Sequence, residues 1–264
     1  MRASPRHASL AAPAAAVLTA GLALGPLVML AVTSVARNWY WPTLVPHEWS
    51  ARAWRYLADG SGPVGGALLT SAAIGVAVAV LSVAIALPAG HALSRRTFRG
   101  QRLLVFALLL PVLVPPLAAA MGLHAVFLRG GLVDSPLGVA LVHLIPAVPY
   151  ATLMLAGSFA NLDPGLAAQA RTLGAGPVRV WTRVLLPVLW PGIAVAAAFA
   201  FLISWSQYLL TLLIGGGRVL TLPLLLVNFQ RGGDDAVAGA LSLVFIGPTL
   251  LLFGLVARGL KEIG

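Results

Sequence analysis

Six runs of this chain contain no Asp, Glu, Lys or Arg: residues 11–35, 64–93, 103–128, 137–159, 190–213 and 236–257. A helix crossing the hydrocarbon core of a bilayer needs about 20 mostly apolar residues, and every run reaches that length. A water-soluble fold would have to hide all six runs. It would also have to cover its surface with 17 Lys and Arg and 7 Asp and Glu among 264 residues, too few to solvate it. The sequence therefore predicts an all-α integral membrane protein of about six transmembrane helices. The first run follows Arg2, Arg6 and His7 and contains small residues such as Ala14 and Ala16, as a signal peptide would. The apolar part of a signal peptide is about 7 to 15 residues long, and this run is longer, so it is expected to remain as the first helix.

The charges lie between the runs. Alternating the connections places Arg2, Arg6, Arg95, Arg96, Arg99, Arg102, Arg171, Arg179, Arg183, Arg258 and Lys261 on one side. The other side receives Arg37, Arg52, Arg55, Arg129, Arg218 and Arg231, together with Glu48, Asp59, Asp134, Asp234 and Asp235. Lys and Arg bias a connection toward the cytoplasm, so both termini and the segment 161–187 are expected there. The basic excess thus encodes topology. It forms no continuous stripe for phosphates, and nucleic acid is not an expected partner. The chain has no cysteine, which excludes disulfides, thiolate metal sites and a cysteine nucleophile. Trp39, Trp41, Trp49 and Trp54 crowd residues 37–62. An interfacial aromatic belt and a sugar-stacking surface both fit them, the belt being the commoner use.

The segment 161–187 reads NLDPGLAAQARTLGAGPVRVWTRVLLP, too interrupted to span and too apolar for a flexible linker. Asp163 followed by Pro164 is a helix start, with the aspartate as cap and proline in the first helical position. That helix would carry Leu166, Ala167, Ala170 and Leu173. Gly174 stands where a helix end favours positive φ, and Pro177 can open a second helix. The second helix would present Val178, Trp181, Val184 and Leu185 on one side and Arg179 and Arg183, at i and i+4, on another. Pro187 and Pro191 would bend the chain as it re-enters the membrane.

The run 167–193 resembles the EAA loop of permeases of binding-protein-dependent ABC importers, the group that includes maltose and spermidine/putrescine systems. Ala168, Gln169 and Ala170 take the first three places of the motif, Gly174 the glycine, Val184 the branched position, and Leu186-Pro187 the end. The departure is at the start, where Ala168 replaces the usual glutamate and Gln169 the usual alanine. The polypeptides FLISWSQYLL at 201–210 and LTLPLLL at 220–226 are also similar to the family's last third. The resemblance implies a type I importer permease fold, one transmembrane domain over 1–264, with the segment 161–187 as a helix-turn-helix coupling loop between helices 4 and 5. It implies that Ala168, Gln169, Ala170, Arg171, Gly174, Pro177, Leu186 and Pro187 contact an ATPase subunit. It implies too a second permease, identical or homologous, and a periplasmic or lipid-anchored solute-binding protein, in the bacterial inner membrane. This chain would bind no cofactor, ATP being used by the ATPase.

Polar residues cluster in the fifth run, where Ser204, Gln207 and Tyr208 are candidates for a translocation path. Helix–helix hydrogen bonding accounts for them as well. His91, His124 and His143 lie in or near apolar runs with no carboxylate beside them, which favours packing over a metal site or proton relay. Pro111, Pro115 and Pro116, and Pro146 and Pro149, are expected to kink the third and fourth helices. No phosphate-binding Gly-x-x-x-x-Gly-Lys-Ser/Thr loop is present, so the chain would not itself bind ATP that way. An ion-coupled carrier would need an intramembrane acid or a broken helix, and a membrane enzyme paired carboxylates, a His-rich metal site or an activated serine. The six runs supply no acid and no such constellation.

Overall fold

The computed structural model describes residues 8–40, 42–60, 62–95 and 97–261, so Arg2, Arg6, His7, Trp41 and Arg96 lie outside the described residues. The elements are α1 (Ala8–Val35), an antiparallel pair β1 (Ala36–Arg37) and β2 (Glu48–Trp49), α2 (Arg52–Ala58), α3 (Val64–Arg95), α4 (Gln101–Leu113), α5 (Pro116–Arg129), α6 (Pro136–Ala160), α7 (Gly165–Thr172) and α8 (Pro177–Val180). A π turn (Trp181–Leu185), α9 (Leu186–Trp205), α10 (Leu209–Gly215), α11 (Leu222–Arg231) and α12 (Asp235–Lys261) follow. Among the described residues, 5 helices are long and apolar enough to cross a membrane, or 6 if the bent pair α4–α5 is one span.

The chain divides into two compact units, 1–65 with 225–247 and 66–224 with 248–264. In the first, small residues let helices approach: a side chain on Gly239 of α12 would meet the Ser34 nitrogen of α1 at 3.1 Å. Trp54 Nε1 donates to Ser34 Oγ at 3.1 Å, so this tryptophan anchors α2 to α1. Arg52 donates to Asp234 at 2.6 Å, and that hydrogen bond holds the Asp234 carboxyl below its usual range.

The second unit is built around α6, whose buried face runs from Gly138 through His143, Ala147, Ala151 and Leu155 to Phe159. Ser135 starts this helix, its Oγ accepting from the Gly138 nitrogen at 3.0 Å, and Pro136 occupies the first position. Near the other end of α6, glycines bring two neighbours in. A Cβ on Gly90 of α3 would stand 2.9 Å from the Ala156 nitrogen, and one on Gly192 of α9 would press on Ser158. Pro146 and Pro149 are accommodated within a continuous α6.

The third run bends where its prolines were expected to kink it, and more sharply than a kink: α4 and α5 meet at 104°. The residue before a proline is driven out of the helical region, and Val114 (ψ 134) and Pro115 (ψ 128) are both extended before Pro116 opens α5. The fifth helix also has different limits from 190–213. A single helical stretch runs from Pro177 to Trp205, then breaks, and α10 resumes at Leu209. Pro187 and Pro191 therefore lie within one continuous helical stretch. The Leu186 nitrogen bonds the Trp181 carbonyl, five residues back, so the ladder has already widened into a π turn where Pro187 removes a donor.

Candidate functional site

The segment after α6 folds back on its own helix bundle. Asp163 Oδ1 accepts from the Gly165 nitrogen at 2.8 Å, so the aspartate caps the first turn of α7 from one residue earlier than expected, Pro164 preceding the helix. At the other end of α7, Gly174 has φ +84. Its nitrogen donates to the Arg171 carbonyl at 2.9 Å, and the Ala175 nitrogen donates to the Ala170 carbonyl at 3.0 Å. These two bonds make a Schellman turn, which satisfies carbonyls at the helix end and reverses the chain. Pro177 then begins α8 after the extended Gly176.

This hairpin is seated by a core of Phe159, Val180, Leu185 and Leu189, against which Leu162, Ala167, Ala170, Ala175 and Trp181 pack. The expected apolar face of the second helix is corrected in one respect. Val180 is the buried valine, while Val178 is 74% exposed. The π turn inserts a residue into the periodicity, so Val180, Leu185 and Leu189 share a face at spacings of five and four. Leu173, at the end of α7, is 88% exposed. Leu173 and Val178 thus flank the turn as two outward apolar side chains. Around them Ala168, Gln169, Arg171, Gly174, Pro177, Arg179 and Arg183 are exposed. Of the remaining sites read from the sequence, Ala170 and Leu186 are half-buried and Pro187 is exposed. No side chain is needed at Ala168 to complete the fold.

The polar cluster of the fifth run resolves into a helix break. Ser204 is the penultimate residue of α9 and is buried, whereas Gln207 and Tyr208 lie in and beside the break and are half-buried. His143, buried on α6, places Nδ1 2.9 Å from Ser204 Oγ and Nε2 3.1 Å from Thr211 Oγ1. Thr211 donates its hydroxyl proton to the Gln207 carbonyl at 2.8 Å. The hydroxyl must then accept from His143 Nε2–H, which leaves Nδ1 to accept from Ser204. One neutral histidine thus bridges both sides of the break, supplying partners that lipid cannot. These bonds tie Ser204 and Thr211 to α6 through His143. Thr211 was not singled out from the sequence; a threonine four residues after a mid-membrane glutamine is its only signal. His124 ties α5 to α10 by a contact of 2.9 Å between Nδ1 and the Leu213 carbonyl.

With this geometry in hand, the family described as the binding-protein-dependent transport system inner membrane component matches residues 80–263. The chain belongs to this family. The permease is 33% identical over 199 residues to an ABC transporter permease protein of Streptomyces antibioticus, covering 74% of this chain and 87% of that one. It is also 33% identical over 208 residues to the molybdenum transport system permease protein ModB of Mycobacterium tuberculosis, covering 73% and 78%. Its fold matches a crystal structure of a bacterial ABC transporter involved in the import of the acidic polysaccharide alginate, with TM-score 0.71, 17% identity, and 98% and 99% of the two chains covered. This protein is therefore a multi-pass permease subunit of an ABC importer with the type I fold, and neither an ion-coupled carrier nor a membrane enzyme finds support. The family implies an ATPase and a solute-binding protein as partners.

Proposed function

We propose that this permease forms the solute path across the bacterial inner membrane as one domain over 1–264, and that the segment 161–187 couples it to a separate ATPase subunit. The observation that carries this reading is the pair of outward apolar side chains, Leu173 and Val178, held on either side of a Schellman turn whose inner side packs on Phe159, Val180, Leu185 and Leu189. Such a knob has a shape for a groove and no use in water. Both termini and the knob are cytoplasmic in this reading, from the distribution of Lys and Arg. The chain binds no cofactor, and ATP is consumed by the partner. A second permease, identical or homologous, and membrane lipid share the exposed apolar surface, which includes a cleft of about 940 Å³ lined by Val80, Val83, Trp190, Ala194, Phe201 and Leu252.

Gly174→Val tests the coupling role. Its positive φ disfavours a β-branched side chain by about 1–2 kcal/mol, roughly a tenfold loss of the turned conformation. Apart from its own chain neighbours, no atom of the described residues lies within 4 Å of a Cβ built there, so the variant does not crowd the bundle. Uptake and co-purification of the ATPase are expected to fall by about tenfold, with insertion into the membrane unchanged. Normal uptake and normal ATPase recovery would remove the coupling role.

The path is assigned to Gln207 and Tyr208 at the break, where unwound backbone belongs beside a cavity or other protein. Since the chain has no cysteine, single cysteines can be read cleanly. Gln207→Cys and Tyr208→Cys should react with water-soluble thiol reagents in at least one nucleotide state, and Ser204→Cys, at a position 5% exposed, should not. If neither 207 nor 208 ever reacts, the path lies elsewhere.

A further inference from the structure

The end of α3 grips both ends of the coupling segment. The His91 ring lies edge-on to Phe159 at 5.1 Å and to Trp181 at 5.3 Å, and those two rings are themselves 6.0 Å apart. One turn on, Arg95 Nη2 donates to the Leu162 carbonyl, immediately before the aspartate that caps α7. Arg95 therefore holds the entry to the segment, while His91 holds the π turn at its exit. Beneath them lies a cavity of about 210 Å³ bounded by His91, Arg95, Phe159, Leu162, Asp163 and Pro164. The grip is thus made by a few directed contacts over a partly open space, which allows it to shift as a unit.

The rest of α3 suits this use. Gly90 sets its backbone directly against that of α6, giving a fixed crossing point one residue before His91. Toward its other end, the buried Ser71 Oγ accepts from the Leu222 nitrogen at 2.8 Å, so α3 is also bonded to the start of α11. A single helix of 32 residues, about 48 Å long, joins these two attachments.

We propose that His91 and Arg95 are positioning residues that make α3 the lever through which movement at the Leu222 end of the bundle reaches the ATPase-coupling segment. This rests on the proposed coupling role, and it adds a division of labour: Leu173 and Val178 bind the ATPase, whereas His91 and Arg95 transmit to it. Loss of the grip should leave docking intact and impair communication.

The test uses the complete importer, with ATPase and binding protein, reconstituted in vesicles. His91→Ala and Arg95→Ala should retain ATPase co-purification. Stimulation of hydrolysis by loaded binding protein should drop by about fivefold, the effect expected from losing one directed contact. His91→Phe, which keeps the edge-on ring packing, should restore stimulation, and Arg95→Lys, which keeps a donor, should restore part of it. Should Arg95→Ala not be recovered from membranes, Arg95→Gln takes its place. Unchanged stimulation and uptake in the double alanine variant would overturn the lever. So would loss of ATPase co-purification in His91→Ala and Arg95→Ala alike, because these residues would then only hold the docking surface in shape. A failure of the coupling reading itself appears separately, as normal ATPase recovery with Gly174→Val.

Discussion

Leu173→Glu combined with Val178→Glu is expected to abolish co-purification of the ATPase while the permease still inserts and folds. The two side chains are 88% and 74% exposed, so the bundle gives up almost nothing when they change. In the docked complex each should bury apolar surface worth about 1.5–3 kcal/mol. Two such losses amount to at least about 3 kcal/mol, more than a hundredfold in affinity, before the added cost of forcing carboxylates into an apolar groove. The measurement is the amount of ATPase recovered with affinity-tagged permease from solubilised membranes. Recovery at the level of the unaltered chain would mean that these side chains are lipid-facing or simply solvated.

Gly90→Leu should remove most folded permease, an effect on the structure and not on docking. A Cβ at Gly90 would stand 2.9 Å from the Ala156 nitrogen and 3.1 Å from the Leu155 carbonyl carbon, and backbone atoms inside α6 cannot rotate away. α3 and α6 would have to separate, at a cost of about 1–3 kcal/mol or more for overpacking and with loss of the contacts on either side. Gly157→Ala is the control, since a Cβ there meets nothing within 4 Å and alanine favours the helix. The yield of monodisperse protein after solubilisation should collapse for Gly90→Leu and hold for Gly157→Ala. Equal yields would show that α3 does not cross α6 at this point.

Much of the architecture was legible because the bilayer imposes a simple criterion. Uncharged runs at 11–35, 64–93, 137–159 and 236–257 correspond closely to α1, α3, α6 and α12. The other two runs contain breaks, and Pro115 and Pro116 signalled the first of them. In the third, the Pro115-Pro116 pair and the extended residue before it produce a turn of 104°, and run length alone carries no information about direction. In the fifth, the polar cluster at 204–208 marks the place but not the break, because the flanking Ser204 and Thr211 are joined by His143, which lies over 60 residues earlier.

The segment 161–187 was legible where chemistry is local. Asp163-Pro164 caps, Gly174 turns with positive φ, and Pro177 restarts, each a decision made within four residues. Its facing was not. The π turn at Trp181–Leu185 shifts the helical phase, so a 3.6-residue pattern assigns Val178 to the core and overlooks Val180. Leu173, read as part of the first helix, proves to be its cap: as the residue before a Schellman glycine it already leaves the helical register.

The most direct test of the central claim is site-specific crosslinking in membranes containing the whole importer. A cysteine placed by Leu173→Cys or Val178→Cys is labelled with a photoactivatable thiol reagent and illuminated, with Asp134→Cys as the reference. Asp134 precedes α6 and the segment follows it, so the two positions are separated by a helix of 25 residues, about 37 Å. The account predicts an adduct with the ATPase subunit from positions 173 and 178 and none from 134. An ATPase adduct from 134 with none from 173 or 178 would contradict it.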